Sequence, residues 1–145
     1  MKNQIEASFP SLPENEALAR MIVCAFMMQA DPAYNVLAEV RTAVSEAVTN
    51  AVVHAYKGKT GKVFLRAFLQ DDLLDIEIED TGCGIADIQQ AMTPFYTSQP
   101  DGERTGMGFS LMQSFMDRVS VQSLPGCGTC VRLSKRISSS QDQAI

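Results

Sequence analysis

Glu46 and Asn50 place a carboxylate and a carboxamide four residues apart, inside the run Ser45-Glu46-Ala47-Val48-Thr49-Asn50. On a helix that spacing stacks the two groups on one face. Magnesium takes oxygen ligands and leans on substrate phosphates more than on a full protein cage, so one carboxamide oxygen from Asn50 suits it. A carboxylate one turn away is placed to take a proton from an attacking hydroxyl or water. The same pair also describes a solvated polar helix face, and the two residues alone do not separate the readings.

A second carboxylate stands where a strand ends. Leu74-Asp75-Ile76-Glu77-Ile78-Glu79 alternates apolar and charged residues, and Asp80 continues the parity of Leu74, Ile76 and Ile78. That register turns Asp80 toward the core side, where an unpaired charge costs several kcal/mol and demands a donor. The donor is either a nearby amide such as that of Gly82, as in many Asp-x-Gly turns, or the exocyclic amine of a purine. Gly82 and Gly84 let the backbone approach a planar ligand closely.

Gly106-Met107-Gly108 opens an amphipathic helix, and the free N–H groups and dipole at that end attract phosphate. Arg104 and Thr105 come just before it. Arg104 is within reach of a β- or γ-phosphate, where phosphoryl transfer needs positive charge; a solvated arginine before a glycine-containing helix start is the other reading. Phe95-Tyr96-Thr97-Ser98 supplies aromatic packing and hydroxyls. Thr129 enters a strand with Val131 and Leu133, and it either bonds a base or starts the strand. His54, one turn past Asn50, is read first as a packing residue because the chain has no second histidine, with the orienting of a neighbour as the other reading.

These groups need elements to hold them. A short strand covers Gln4 to Phe9, closed by Pro10 and Pro13. A helix follows over Glu14 to Ala30, with Leu18, Met21, Ile22, Ala25 and Met28 as its apolar stripe. A longer helix runs from Ala33 to Tyr56 on Leu37, Val40, Val44, Val48, Ala51, Val52 and Ala55. Lys57 to Gly61 is a loop, and Lys62 to Leu69 with Leu73 to Asp80 forms a hairpin. A short helix over Ala86 to Met92 leads into a polar loop, Thr93 to Thr105, long enough to act as a lid. A helix over Gly106 to Asp117 uses Phe109, Met112, Phe115 and Met116. A last hairpin joins Arg118 to Ser123 with Thr129 to Ser134. The fold class is α+β: a two-layer sandwich with helices on one face of a mixed, mainly antiparallel sheet.

The chain has 145 residues, enough for one domain with a sizeable core, taken here as 1–137 with a polar tail at 138–145. The net charge of −5 argues against a nucleic-acid surface and suits a partner with a basic face. No apolar run approaches the roughly 20 residues that span a bilayer, and Met1 to Glu6 lacks the apolar core of a signal peptide. A cytoplasmic protein with no membrane contact is expected. Cys127-Gly128-Thr129-Cys130 has neither the second ligand pair of a zinc site nor the helix N-terminus of a redox motif, so all four cysteines are read as reduced thiols. There is no P-loop and no H-R-D or D-F-G set.

Taken in order, the motifs are more specific than any one of them. Glu46-x-x-x-Asn50-Ala51-Val52-Val53-His54-Ala55-Tyr56, Asp80-x-Gly82-x-Gly84, Phe95-Tyr96-Thr97, Thr105-Gly106-Met107-Gly108-Phe109 and Gly126-x-Gly128-Thr129 together resemble the GHKL superfamily. That superfamily contains gyrase, a class of heat-shock chaperones, histidine kinases and mismatch-repair ATPases, and uses the Bergerat ATP-binding fold. The resemblance covers Gln4 to Lys135. The short lid and the Ser45-to-Asn50 run are similar to the anti-sigma serine kinases, the sporulation type first and the stress-response type next.

The resemblance implies ATP and Mg2+ as ligands. Asp80 would receive the adenine amino group, with Thr129 supporting through water and Gly82 and Gly84 beside it. Asn50 would bind magnesium, and Glu46 would act as general base. Thr97, Thr105, Gly106, Gly108 and Arg104 would hold the phosphates. It further implies a homodimer that binds a sigma factor and phosphorylates a serine on an anti-anti-sigma protein, with Arg20 as a partner-contact residue. Cys83 inside the Asp80-x-Gly82-x-Gly84 turn departs from the family pattern. The alternative, from a different class, is a nucleotide-gated sigma-binding module that moves no phosphate.

Overall fold

The computed structural model describes residues 2–92 and 108–137. β1 (Lys2–Pro10), β2 (Lys62–Gln70), β3 (Leu73–Asp80), β4 (Arg118–Leu124) and β5 (Gly128–Arg136) form one sheet in the order β1-β2-β3-β5-β4. All its pairings are antiparallel, so the described residues contain no parallel pair. β3 is the central strand, and its period-2 pattern explains why. Leu74, Ile76 and Ile78 are buried on the helix side, while Glu77 and Glu79 face the other way and pair with Arg66 at 3.0 and 2.8 Å. Those two carboxylates also push the Arg66 guanidinium upward in pKa by hydrogen bonding to it.

The helices α1 (Glu14–Met27), α2 (Tyr34–Thr49), α3 (Ile88–Ala91) and α4 (Gly108–Phe115) cover one face. α2 lies between α1 and α4 and packs on the sheet through Val40, Val44 and Val48, all fully buried. Val36, Ala43 and Ala47 join them, whereas Leu37 and Val52 are only partly buried at the margin. α4 buries Phe109 and Met112, with Met116 just beyond it, and Phe115 is half-buried. Lys135 ties these layers together: its Nζ donates to the Phe115 carbonyl at 2.6 Å and stands 3.4 Å from Glu39 of α2.

Two expectations about the helices are corrected. On α1 the buried row is Ala19, Val23, Phe26 and Met27; of the expected stripe Leu18, Met21 and, just past the helix, Met28 are exposed at 48%, 68% and 54%, and only Ile22 packs against the core, partly buried. Both rows run at helical spacing in the sequence, and the contacts with α2, β1 and β2 decide which goes inside. The second long helix does not continue regularly to Tyr56. It is α-helical to Thr49 and then widens into a π-helical stretch, Asn50–Ala55. No proline or glycine in the sequence marks that change. Among the described residues, no helix is long and apolar enough to cross a membrane.

Candidate functional site

The π-helical stretch, the end of β3 and the start of β5 enclose a cavity of about 580 Å³. That volume lies in the range of small-molecule sites, roughly 300–1,000 Å³. Asp80 enters it from β3 and is only 7% exposed. Burial pushes its carboxyl pKa up, and backbone N–H donors from Gly82, at 3.0 Å, and Thr129 oppose the rise. A carboxylate has about four lone-pair positions, so two remain for a ligand. Of the two donors that the sequence offered for Asp80, the structure shows the Gly82 amide, and the carboxyl also lines the cavity.

Asn50 closes α2 and begins the wider turn. Its backbone N–H bonds the carbonyls of Glu46 and Ala47, and its side chain lines the cavity. The Oδ1 and Nδ2 atoms are buried with no hydrogen-bond partner among the described residues. A buried carboxamide left without partners costs about 1–3 kcal/mol per unsatisfied group, a cost that a water or ligand in the cavity would relieve. An oxygen-seeking cation with its own waters and phosphate ligands fits that donor set. Among the described residues no three or more His, Cys, Asp and Glu side chains cluster as a cage.

The other expected site residues divide. Gly84 and Thr129 line the cavity, together with His54, Lys57, Cys83 and Phe109. Glu46 is half-buried one turn before Asn50 and is not part of the lining. Gly82 is not part of it either. Its glycine is required from behind, because a β-carbon there would lie 2.2 Å from the Ala55 carbonyl oxygen. Gly108 is buried as the first residue of α4, one position before the lining residue Phe109. Thr97, Arg104, Thr105 and Gly106 lie outside the described residues. Arg20 is on α1, away from the cavity, 3.9 Å from Glu16, which in turn accepts from the Ser45 hydroxyl.

Sequence reasoning left out Lys57, whose φ of 49° puts a non-glycine residue in the left-handed region at the cavity's edge. His54, weighed first as packing and second as orienting a neighbour, lies one turn after Asn50 and lines the same cavity. Cys24, Cys83, Cys127 and Cys130 are all free thiols.

The model of the histidine kinase-like ATPase domain matches residues 9–135. The chain belongs to the histidine kinase-like ATPase family. It is 48% identical over 135 residues to an anti-sigma F factor of Caldanaerobacter subterraneus, covering 93% of this chain and 94% of the relative. It is 44% identical to the anti-sigma F factor of Bacillus subtilis, covering 97% of each. Its fold is similar to the RsbU and RsbW domains of Rv1364c from Mycobacterium tuberculosis, with a TM-score of 0.68 at 16% identity over 93% of this chain and 32% of that one. The catalytic domain of the histidine kinase ThkA matches with a TM-score of 0.60 at 14% identity, covering 92% of this chain and 97% of that domain. The two-layer α+β sandwich inferred from the strand and helix periods is the fold of these proteins, and the cavity belongs to an ATPase-type domain.

Proposed function

We propose that the chain is an ATP-dependent serine kinase that binds and inhibits a sporulation sigma factor and phosphorylates a small anti-anti-sigma protein on serine. One observation carries the nucleotide part. A buried carboxylate with spare acceptor positions, Asp80, shares a cavity with a buried carboxamide, Asn50, that has no hydrogen-bond partner among the described residues. The sigma-binding part is supported by relatives over nearly the full chain that are called anti-sigma F factors.

In this reading Asp80 accepts from the adenine amine beside Thr129, and the Gly82 and Gly84 turn shapes that end. Asn50 Oδ1 would hold Mg2+, which offsets the charge that spreads over the phosphates. Thr97, Thr105, Gly106, Gly108 and Arg104 hold the phosphate tail. Glu46 takes the proton of the partner's serine as that oxygen bonds the γ-phosphorus, and the bond from the γ-phosphorus to the bridging oxygen breaks, releasing ADP. The new phosphoserine carries about −1.5 to −2 charge at neutral pH. It then faces a chain with a net charge of −5, and repulsion favours its release. Arg20 contacts the protein partners, and the active species is a cytoplasmic homodimer.

The test is incubation with labelled ATP and the candidate small partner, followed by identification of the modified residue. Phosphoserine on the partner, lost in Glu46→Ala while ATP still binds, is the expected result. Unlabelled partner with wild-type protein that does bind ATP would leave a sigma-binding module gated by nucleotide.

A further inference from the structure

Ser123, Thr129 and Asp80 stand in one row across three adjacent strands, since Ser123 pairs with Thr129 and Thr129 with Asp80. The outer two differ in what they reach. Asp80 and Thr129 line the cavity, and Ser123 stands behind Thr129 without touching the cavity. The Ser123 hydroxyl nevertheless makes three contacts. It accepts from the Ile85 N–H at 2.7 Å, donates to the Gly128 carbonyl at 3.0 Å, and lies 2.8 Å from the Thr129 hydroxyl.

A serine hydroxyl has one proton and two lone pairs. A carbonyl oxygen only accepts, so the bond to Gly128 uses the proton. The Ile85 amide takes one lone pair. The remaining lone pair can meet Thr129 only if the threonine is the donor. Thr129 therefore spends its own proton on Ser123 and offers only lone pairs to the cavity, beside the acceptor oxygens of Asp80.

From this geometry we propose that Ser123 is a specificity-determining positioning residue: by holding the Thr129 proton, it leaves the Thr129 hydroxyl an acceptor beside the Asp80 carboxylate, so that a purine with an amine at its 6-position is preferred over one with a carbonyl there. The inference rests on the purine reading of the cavity given above. A carbonyl at that position would point oxygen lone pairs at those of Thr129 and Asp80; the proton that a 6-oxopurine carries sits on N1, one ring atom away, whereas the 6-amine puts its protons directly at those oxygens. Removing the Ser123 hydroxyl frees the Thr129 proton to turn inward and donate to that carbonyl.

The experiment is calorimetric binding of ATP and of inosine triphosphate, which carries a carbonyl in place of the 6-amine. Wild type is expected to prefer ATP. Ser123→Ala is expected to lower the ATP-to-ITP affinity ratio about tenfold, the size of one hydrogen bond, through a gain for ITP as well as a loss for ATP. Ser123→Thr keeps the hydroxyl and is expected to keep the ratio. In Thr129→Val the ratio should no longer respond to Ser123→Ala, a coupling that a double-mutant cycle measures directly. Should alanine at 123 unfold the protein, Ser123→Cys, with its weak donor and acceptor, is expected to shift the ratio in the same direction by less. An equal loss for both nucleotides, or a ratio that falls equally with valine at 129, would assign Ser123 a purely structural role and overturn the inference while leaving the nucleotide site in place. Wild-type protein that binds neither nucleotide would overturn the site itself.

Discussion

Gly82 and Ala55 meet so closely that a single added methyl on the glycine would lie 2.2 Å from the alanine's carbonyl oxygen. That same carbonyl accepts from the Cys83 N–H at 2.7 Å, so the end of the π-helical stretch and the turn after β3 are held as one unit. The two groups proposed to grip opposite ends of a nucleotide, Asn50 and Asp80, are spaced by this joint.

Gly82→Ala should therefore act on both stability and binding. Forcing a β-carbon against backbone costs about 1–3 kcal/mol in packed interiors, and the only relief is to separate the two segments. The denaturant midpoint is expected to fall with unchanged slope, and nucleotide affinity is expected to fall further than the stability loss alone would give. Thermal and urea melts with and without ATP measure the two effects.

Asp80→Asn should weaken nucleotide binding about ten- to a hundredfold, the worth of a hydrogen bond to a charged acceptor. The free protein should show the opposite sign. Burial raises the Asp80 pKa above its ordinary 3.8, so ionisation costs more in the folded chain than in the unfolded one. The stability that this group contributes is complete below the ordinary value and is lost as pH rises through the folded-state value. Wild type should accordingly lose ground to Asp80→Asn in melting temperature on going from acid to neutral pH, without ligand. A gap that stays constant across that range would contradict the assignment.

Asn50→Ala removes two buried polar atoms that have no partner among the described residues. The free protein should be no less stable than wild type, since a desolvation cost disappears along with the contacts. ATP affinity measured with magnesium should drop, whereas affinity measured with a chelator present should change little. Calorimetry under the two conditions separates a metal-holding role from a simple packing one.

The two apolar rows of α1 give a test of the fold alone. Met21→Glu lies on the exposed row and should change stability by no more than about 0.5 kcal/mol. Val23→Ala on the buried row should destabilise by about 1–2 kcal/mol, as deletion of buried methyls does. Urea titration of both variants distinguishes the rows.

Much of this architecture could be read from residue order. The parity from Leu74 to Ile78 put Asp80 on the buried side, because it depends on local periodicity alone, whereas the four-residue step from Glu46 to Asn50 brings only Asn50 to the cavity. What escaped depends on neighbours distant in sequence. α1 carries two helical rows of similar hydropathy, and the surfaces of α2, β1 and β2 choose between them. The π-helical widening at Asn50 has no local mark, and it is stabilised by the turn that follows β3. Ser123 reads as an ordinary polar strand residue until cross-strand register sets it beside Thr129. Gly82 was noticed for its freedom to approach a ligand, and its constraint comes instead from the helix end behind it.

Around Asp80 the chain leaves little for side-chain substitution to vary. Carbonyl oxygens of Ala55, Leu124 and Asp80 occupy the places where β-carbons of residues 82, 84 and 128 would project. A wall built of main chain presents the same hydrogen-bonding face whatever residues flank it. Descendants of this sequence could retune the rim of the cleft by point mutation, but a different shape at its base would call for inserting or deleting residues in the turns themselves.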